Sequence, residues 1–410
     1  MSALALPPLA LYVHMPWCVR KCPYCDFNSH AIGKELPERE YVAALLDDLE
    51  QDLDAAQGRT LVSIFFGGGT PSLFSPESIA EILSGVRERV SCAPDIEITL
   101  EANPGTIEHG RFGGYKAAGV TRISLGAQTF DDRHLRALGR IHNSGDIERA
   151  VEELRSAGFD NFNLDLMYAL PEQRIEQAVA DVRRTVSLEP THISHYQLTL
   201  EPGTVFFHRP PPLPDQDASW EMQQACQAVL AEHGYEQYEV SAYARAGSQC
   251  KHNLNYWQFG DYIGIGAGAH GKLTDGERGQ VVRTVKHRQP REYLRQRGRA
   301  RAIERRVVAA DELAFEFMLN ALRLRSGFSA AQFSARTGLG LDMIREPLER
   351  AVAQRLLIQE GDRWWPTERG YLFLNDLQAL FLPDHEHGRV LPQTPTDFPA
   401  QVSERPRKVD

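Results

Sequence analysis

Residues 14–28 read HMPWCVRKCPYCDFN and place Cys18, Cys22 and Cys25 in a C-x3-C-x2-C pattern. The pattern directly follows LALYVHM (9–15), a mostly apolar run that predicts the first strand of the fold. Three thiolates can hold three corners of a cubane 4Fe–4S cluster and leave the fourth iron without a protein ligand. A metal centre needs such an open position to bind a further molecule. The segment therefore predicts an iron–sulfur centre at the end of the first strand.

Two other interpretations of these cysteines stay open. A structural zinc site usually has four ligands, and His14 or His30 is near enough in the sequence to be the fourth. A thioredoxin-like redox pair, Cys22-Pro-Tyr-Cys25, would leave Cys18 without a role. A disulfide framework is typical of small secreted chains, and this chain has 410 residues. The remaining cysteines are scattered, at Cys92, Cys226 and Cys250.

Short β-rich runs alternate with helix-length segments over roughly the first 245 residues. This alternation predicts βαβ units and a parallel sheet, here a partial (β/α) barrel with its site at the C-terminal ends of the strands. The segments YVAALLDDLEQDL (41–53) and IERAVEELRSAG (147–158) have helical periodicity. The strand candidates are LALYVHM (9–15), LVSIFFGG (61–68), DIEITLEAN (95–103), VTRISLGAQ (120–128), NFNLDLMYAL (161–170) and HISHYQLTL (192–200), with a seventh near YEQYEVSAY (235–243).

The chain is therefore expected to be an α/β protein with a second, smaller domain. We assign 1–245 to the partial barrel and 246–305 to a connecting region. Residues 306–382 show three helical segments followed by a candidate hairpin, LIQEGDRWWPT (357–367), which predicts a mostly helical, winged-helix-like domain. The tail, 383–410, is rich in proline and charge and is predicted to be disordered.

Composition excludes several classes of protein. The net charge is −10, and the winged-helix-like segment holds more acidic than basic residues, so no nucleic-acid partner is expected. No apolar run approaches the roughly 20 residues of a spanning helix, so the chain is not expected to be an integral membrane protein. The N-terminal residues lack the basic segment and cleavage site of a signal peptide. We expect a cytoplasmic protein.

Two further features favour a ligand site at the strand ends. FGGGTP (66–71) follows the second predicted strand, and Gly68, Gly69 and Thr70 form a loop whose backbone a ligand can approach closely. The Lys-Ser/Thr ending of a phosphate-binding P-loop is absent from this segment. Polar residues also occur at or just beyond later strand ends, where barrel chemistry is located, namely Glu101, Gln128, Arg140 and Asp165. Taken singly, each is more often a capping or salt-bridge residue than a binding residue.

The cysteine array after a first barrel strand resembles the radical-SAM superfamily, in which a reduced cluster cleaves S-adenosylmethionine (SAM) to a 5′-deoxyadenosyl radical. The surroundings resemble the branch of oxygen-independent coproporphyrinogen III dehydrogenase (HemN) and the HemW haem chaperones, from about residue 9 to about residue 380. The resemblance implies that Cys18, Cys22 and Cys25 hold the 4Fe–4S cluster. It also implies SAM or substrate contacts at Tyr12, Tyr24, Gly68, Gly69, Thr70, Glu101, Gln128, Arg140 and Asp165.

Two features of the chain distinguish the two members of this branch. The dehydrogenase has a fourth cysteine two residues after the third, and this chain has Phe27 there. This chain also has a short extension of residues 1–8 before the first predicted strand, where a longer arm is expected in the dehydrogenase. HNxxYW, residues 252–257, is similar to a signature of the haem chaperones. The resemblance therefore implies a haem chaperone, and the alternative is the radical decarboxylation of coproporphyrinogen III propionates.

The HNxxYW segment suggests how haem would be held. A neutral imidazole can ligate haem iron, and aromatic rings offer apolar surface to a porphyrin, so His252 is the candidate ligand. A histidine beside aromatic residues is more often a hydrogen-bonded core residue, and Cys250 is a second ligand candidate. The implied partners are haem and apo-haem acceptor proteins, respiratory and membrane-associated, which would bring the carrier to the periphery of the membrane. The glycine-rich YIGIGAGAH (262–270) is interpreted as a packed turn.

Overall fold

The computed structural model describes residues 4–33, 35–105 and 110–383. The tail that was predicted to be disordered lies outside the described residues from residue 384 onward. In chain order, the elements of the first part are β1 (Leu9–Met15), β2 (Trp17–Cys18), β3 (His30–Ala31), α1 (Glu38–Ala56), β4 (Leu61–Gly68), α2 (Pro76–Arg89), β5 (Cys92–Ala102), α3 (Phe112–Ala118), β6 (Arg122–Gln128), α4 (Asp132–Ala137), α5 (Ser144–Ser156), β7 (Phe162–Tyr168), α6 (Ile175–Ser187), β8 (His192–Gln197), α7 (Val205–His208), α8 (Gln216–Glu232), β9 (Glu236–Glu239) and β10 (Ala242–Ala244).

Six of these strands form the parallel part of the sheet. Strands β1, β4, β5, β6, β7 and β8 lie side by side in that order, and each pair is parallel. Successive connections pass through helices, which is how parallel neighbours must be joined. The C-terminal ends of all six strands therefore meet at one edge, as the partial-barrel prediction required. The seventh candidate strand is instead the hairpin β9–β10, which pairs antiparallel with β8.

Side chains alternate along these strands between an apolar and a polar environment. On β1, Leu9, Leu11 and Val13 are buried in the main hydrophobic core, which also contains residues of α1 and α2. Tyr12 and His14 point the other way, toward the inside of the curved sheet, where many of the strand residues are polar. The helices thus cover the apolar face, and the inner face is left for binding.

Residues 246–305, predicted as a connecting region, extend the sheet. Strand β11 (Asp261–Ile265) pairs parallel with β1, and three antiparallel strands follow it, β12 (His270–Asp275), β13 (Gln280–Lys286) and β14 (Ala302–Val307). The sheet therefore crosses the proposed boundary at residue 245. The packed-turn interpretation of 262–270 was therefore wrong for its first half. A β-carbon on Gly264 would lie 1.9 Å from the His270 carbonyl oxygen, so this glycine serves the close approach of two strands. The elements are α9 (Lys251–Trp257), β11 (Asp261–Ile265), β12 (His270–Asp275), β13 (Gln280–Lys286), α10 (Pro290–Arg295) and β14 (Ala302–Val307).

The C-terminal part has the predicted winged-helix-like arrangement. Three helices precede the hairpin of β16 (Leu357–Glu360) and β17 (Arg363–Pro366). The short strand β15 (Phe328–Ser329) pairs with β17 to give a small sheet in the order β15-β17-β16. A separate hydrophobic core, including Phe317, Phe328 and Trp364, holds this part together. The fold class is confirmed. The elements are α11 (Ala310–Ala321), β15 (Phe328–Ser329), α12 (Ala330–Thr337), α13 (Arg345–Ala353), β16 (Leu357–Glu360), β17 (Arg363–Pro366), α14 (Glu368–Leu372) and α15 (Leu374–Ala379).

Candidate cluster and cofactor site

The three clustered cysteines lie on a single loop at the C-terminal end of β1. Cys18 ends the short strand β2, and Cys22 and Cys25 follow before β3, which pairs with β2. Backbone hydrogen bonds hold the two ends of the loop, since Ile32 N–H donates to the Cys18 carbonyl at 2.9 Å. The buried Trp17 ring packs edge-on against Tyr41, with ring centroids 4.6 Å apart. The cysteine loop is therefore anchored at its base while its thiols stay partly exposed.

The chemistry of this loop fits a 4Fe–4S cluster. All three thiols are free and accessible enough to bind metal. Among the described residues, no three His, Cys, Asp or Glu side chains converge as the ligands of one metal ion would. A cubane instead spreads three cysteines over three different irons. Burial raises the pKa of the Cys18 thiol and raises that of Cys25 to about 11, so a bound metal would have to supply the positive charge that stabilises their thiolates.

The glycine-rich loop packs directly on the cysteine loop. Gly69 N–H donates to the Met15 carbonyl at 2.8 Å, and Thr70 N–H donates to the Trp17 carbonyl at 2.7 Å. Gly68 has φ +111°, and a β-carbon there would lie 2.5 Å from the His14 ring. A β-carbon on Gly69 would lie 2.5 Å from the Trp17 carbonyl oxygen. Glycine is therefore required at both positions, because any side chain would push the two loops apart.

Arg140 joins the two loops to the strand ends. Its Nη2 donates to Asn103 Oδ1 at 2.5 Å and to the Gly126 carbonyl at 2.7 Å, and its Nη1 lies 3.8 Å from Cys22 Sγ. Asn103 in turn donates to Thr70 Oγ1 at 2.9 Å. Burial lowers the pKa of Arg140, but Tyr24 and Cys22 outweigh this effect, and the net pKa is raised. A guanidinium held in place beside a cavity of about 180 Å³ is suited to a carboxylate ligand.

Two carboxylates, Glu101 and Asp165, lie near each other on the inner face of the sheet. The Glu101 carboxylate lies near the glycine-rich loop, where its Oε2 accepts from Gly68 N–H at 3.2 Å. Burial and the nearby Asp165 raise the pKa of Glu101 to about 8, and burial raises the pKa of Asp165 as well. Asn163 Nδ2 donates to Asp165 Oδ1 at 2.8 Å. These carboxylates gain most from a ligand that brings hydroxyl donors or a positive charge.

The remaining predicted positions border the same region. Tyr12 Oη lies 3.0 Å from His14 Nδ1, and burial together with Glu101 raises the pKa of Tyr12. Gln128 has φ +69°, an unusual value for a residue other than glycine, at the point where β6 ends. The Tyr24 ring packs near Phe206 on α7, with centroids 6.3 Å apart. Strained backbone at a strand end of this kind is typical of a binding site.

His252 lies apart from the cysteine loop, inside the barrel. Its Nδ1 is 2.9 Å from Ser63 Oγ, and its ring stacks on Phe65 with centroids 4.9 Å apart. The side chain is only 2% exposed, and its Nε2 has no hydrogen-bond partner among the described residues. Burial, with Arg122 as a second cause, lowers the pKa of His252 to about 3, so the ring is neutral. Ligation of haem iron by Nε2 requires this ring to leave the barrel, because a porphyrin cannot reach it in place.

The other residues of HNxxYW have defined packing partners. Asn255 Nδ2 donates to the Asp261 carbonyl at 2.8 Å, and the Tyr256 and Tyr262 rings have centroids 4.2 Å apart. The Arg323 guanidinium of the C-terminal domain lies 4.2 Å from the centroid of Trp257. The motif therefore connects the barrel interior, strand β11 and the C-terminal domain.

Two residues of this region were missed in the sequence. Asn103 comes directly after the end of β5, two positions after Glu101. This position at a strand end could have indicated a site residue. Glu97 lies deeper, and its carboxylate accepts from the N–H groups of Lys251 and His252, both at 3.1 Å. Nothing in the sequence indicated that a carboxylate on β5 caps the helix of the HNxxYW motif, because the two segments are more than 150 residues apart.

Comparison with known proteins follows the same division of the chain. The family profile described as Radical SAM superfamily matches residues 12–184, and the profile of the HemN C-terminal domain matches 308–373. The solved structure of coproporphyrinogen III oxidase (HemN) from Escherichia coli is similar, with a TM-score of 0.77 over 92% of this chain and 90% of that one. The two sequences are 21% identical, so this likeness concerns the fold. The fold and the cysteine site define a member of the radical SAM superfamily.

More similar sequences narrow the assignment. A protein of Escherichia coli (strain K12) named "Heme chaperone HemW" is 52% identical over 379 residues, covering 92% of this chain and 99% of that protein. Proteins of the same name from Haemophilus influenzae and Bacillus subtilis are 50% and 33% identical, covering 92% and 90% of this chain and 99% and 98% of their own length. The chain belongs to the HemW family. In the described part of the chain, no helix has the length and apolar character needed to cross a bilayer.

Proposed function

We propose that this protein is a haem carrier that binds haem and passes it to apo-acceptor haem proteins. The observation that supports this most strongly is similarity to proteins named haem chaperone over almost their whole length. Phe27 adds to it, because it occupies the position where a dehydrogenase of this branch is expected to have a fourth cysteine. The proposed location is the cytoplasm, at the membrane periphery when the acceptor is a respiratory membrane protein.

The proposed cofactors are a 4Fe–4S cluster and SAM. Cys18, Cys22 and Cys25 would hold the cluster, which when bound supplies one-electron reducing chemistry next to SAM. Arg140 would pair with the SAM carboxylate, and the loop at Gly68 and Gly69 would leave room for its amino-acid end. The geometry that supports this is the direct packing of the glycine loop on the cysteine loop.

The same site would hold the rest of SAM through its carboxylates and aromatic residues. Glu101 and Asp165 would accept from the ribose hydroxyls or the ammonium group. Gln128 and Thr70 would complete the polar contacts, and Tyr12 would lie on the substrate side. Tyr24, next to Cys25, would stay beside the cluster.

Haem would contact the protein through the HNxxYW motif in this proposal, with His252 as the iron ligand. The free Nε2 of His252 is the atom available for this role, and its burial means that the motif must open to present it. A neutral imidazole is the correct protonation state for an iron ligand.

The second candidate function is that of the dehydrogenase. The observation in its favour is the HemN-like fold over nine-tenths of the chain, with the residues expected to contact SAM at the strand ends. Fold alone does not determine the reaction, since related sites on one fold serve different chemistry. The Phe27 position argues against this activity.

Transfer of haem tests the proposal. The cluster-reconstituted protein, loaded with one equivalent of haem, would be mixed anaerobically with apo-myoglobin as a generic acceptor, and the change in Soret absorbance followed. The carrier hypothesis predicts that the protein binds one equivalent of haem. It also predicts that apo-myoglobin acquires haem from the loaded protein more slowly than it takes up free haem. The His252→Ala variant should load poorly, whereas His233→Ala, at the end of helix α8, should load normally. A wild-type protein that takes up no haem would refute the carrier.

A further inference from the structure

A chain of buried polar side chains runs from Asp165 into the floor of the barrel. Asn163 on β7 donates from Nδ2 to Asp165 Oδ1 at 2.8 Å, and its Oδ1 lies 2.7 Å from His192 Nδ1 on β8. His192 Nε2 lies 2.8 Å from the Tyr238 hydroxyl on β9. Asn163, His192 and Tyr238 are all buried. Side chains from β7, β8 and β9 thus connect end to end beneath Asp165, although β10 lies between β8 and β9 in the sheet.

The orientation of the Asn163 amide fixes the direction of the hydrogen bonds along this row of side chains. Asn163 Nδ2 donates to Asp165 Oδ1 and to Ser124 Oγ, both at 2.8 Å. Its Oδ1 accepts from Ser194 Oγ at 3.1 Å, so the amide has one orientation. Its Oδ1 therefore accepts, and His192 must carry its proton on Nδ1. His192 Nε2 is then an acceptor, and Tyr238 donates its hydroxyl proton to it. Burial, with Arg122 as a second cause, holds the pKa of His192 well below its usual range, so a neutral ring in one tautomer is expected.

We propose that Asn163, His192 and Tyr238 are positioning residues that hold the Asp165 carboxylate in the orientation that binds SAM. Asp165 lies in the middle of β7, not at its end, and its carboxylate can rotate about the side-chain bonds beside Glu101, whose pKa it raises. A neutral amide with one fixed orientation holds Oδ1 of Asp165 at 2.8 Å and leaves Oδ2, whose contact with Ser124 Oγ is longer at 3.4 Å, to be shared with the ligand. Outer partners of this kind commonly govern how a binding group is presented.

The same chain reaches the surface on which the C-terminal domain docks. The Tyr238 carbonyl accepts from Arg325 N–H at 3.0 Å, and Glu239 pairs with Arg323 at 3.1 Å. Strand β9, which carries Tyr238, is at the edge of the sheet and is covered there by residues of the C-terminal domain. Docking of this domain therefore fixes the outer end of the chain that orients Asp165.

Substitutions at His192 separate this role from a general effect on packing. Asparagine places an amide near the position of imidazole Nδ1, and glutamine places one near Nε2. His192→Asn keeps the donor at the imidazole Nδ1 position, whereas His192→Gln keeps a partner for Tyr238 but removes this 2.7 Å donor and leaves Asn163 Oδ1 only the longer bond from Ser194 Oγ at 3.1 Å. His195→Gln is the matched control, because His195 is also a buried histidine of β8 and stacks on Tyr168, with centroids 4.6 Å apart.

The measurement is the dissociation constant of SAM, by anaerobic equilibrium dialysis on the full-length, cluster-reconstituted protein. We expect His192→Gln to weaken SAM binding about tenfold, the scale of losing a buried hydrogen bond, and His192→Asn to restore it to within about threefold of wild type. His195→Gln should bind SAM as wild type does. Equal affinity in His192→Gln and wild type would overturn the inference, as would equal losses in the two His192 variants.

Asp165→Ala distinguishes this inference from the proposed SAM site on which it rests. If Asp165→Ala leaves SAM affinity unchanged, both are wrong. If Asp165→Ala weakens binding and His192→Gln does not, the SAM site stands and the positioning role is refuted. Tyr238→Phe is a milder second variant if His192→Gln does not fold. It removes the donor to Nε2 and should weaken SAM binding about threefold, and unchanged affinity there would likewise refute the role.

Discussion

Protonation of Glu101 should control the affinity for SAM near neutral pH. Burial and Asp165 raise the pKa of this carboxyl to about 8, so the unliganded protein holds it mostly protonated at pH 7. The proposed contact with the ribose hydroxyls or the ammonium group requires the ionised form, which accepts hydrogen bonds and attracts positive charge. Ligand binding must then release a proton from Glu101 at any pH below about 8.

The size of the effect follows from the ionised fraction. With a pKa of about 8, roughly a tenth of the carboxyl is ionised at pH 7 and about a hundredth at pH 6. The apparent dissociation constant rises as the inverse of the competent fraction. Affinity should therefore fall about tenfold from pH 9 to pH 7 and about tenfold more by pH 6.

The assay is SAM binding by anaerobic equilibrium dialysis between pH 6 and pH 9, on wild type and Glu101→Gln. The α-amino group of SAM also titrates in this range, and the variant reports that contribution by itself. The wild-type dissociation constant divided by that of Glu101→Gln isolates the contribution of Glu101. Below pH 8, the base-10 logarithm of this ratio should rise with a slope near one for each unit by which the pH falls. Glu97→Gln, which alters a buried carboxylate of the same strand, should keep the wild-type pH dependence. A ratio that stays constant from pH 6 to pH 9 would refute the assigned role of Glu101.

Two further substitutions test the packing of the glycine-rich loop and the contribution of the buried ion pairs of Lys286 to stability. Gly68→Ala should abolish measurable SAM binding and lower the melting temperature, since its β-carbon would lie 2.5 Å from the His14 ring, whereas Gly113→Ala, with open space around it, should do neither. Lys286→Met should lower the free energy of unfolding by about 3–5 kcal/mol in urea titrations, because it leaves Asp48 and Asp52 buried without the ammonium 2.6 and 2.8 Å away. A decrease in the free energy of unfolding of less than about 1 kcal/mol would contradict the predicted contribution of these two ion pairs.

The barrel was predictable because its strands are buried and helix-separated. Strands β1 and β4 have the predicted bounds, and β5 to β8 differ from theirs by a few residues at their ends. Strand β11 was missed although Tyr262, Ile263 and Ile265 favour a strand, because the glycines within and after it indicated a turn. Gly264 is there for the close approach of β12, a tertiary requirement that a single sequence does not display.

The site was predictable only in part, for a related reason. Cys18, Cys22 and Cys25 are close in sequence, so their spacing alone indicated shared chemistry. Glu101 and Arg140 depended on the family resemblance, since a lone polar residue at a strand end is more often structural. His252 could not be placed from its motif, because its position inside the barrel depends on contacts with Ser63 and Phe65, nearly 190 residues away.

The most direct test of the central claim compares haem binding and porphyrinogen chemistry in one anaerobic sample. The cluster-reconstituted protein would be titrated with haem by absorbance and, in parallel, supplied with coproporphyrinogen III, SAM and a reductant. The carrier predicts saturable haem binding at one equivalent and no protoporphyrinogen. Turnover of coproporphyrinogen III that is lost on substituting Cys18, Cys22 and Cys25 by serine would contradict the carrier and establish the dehydrogenase.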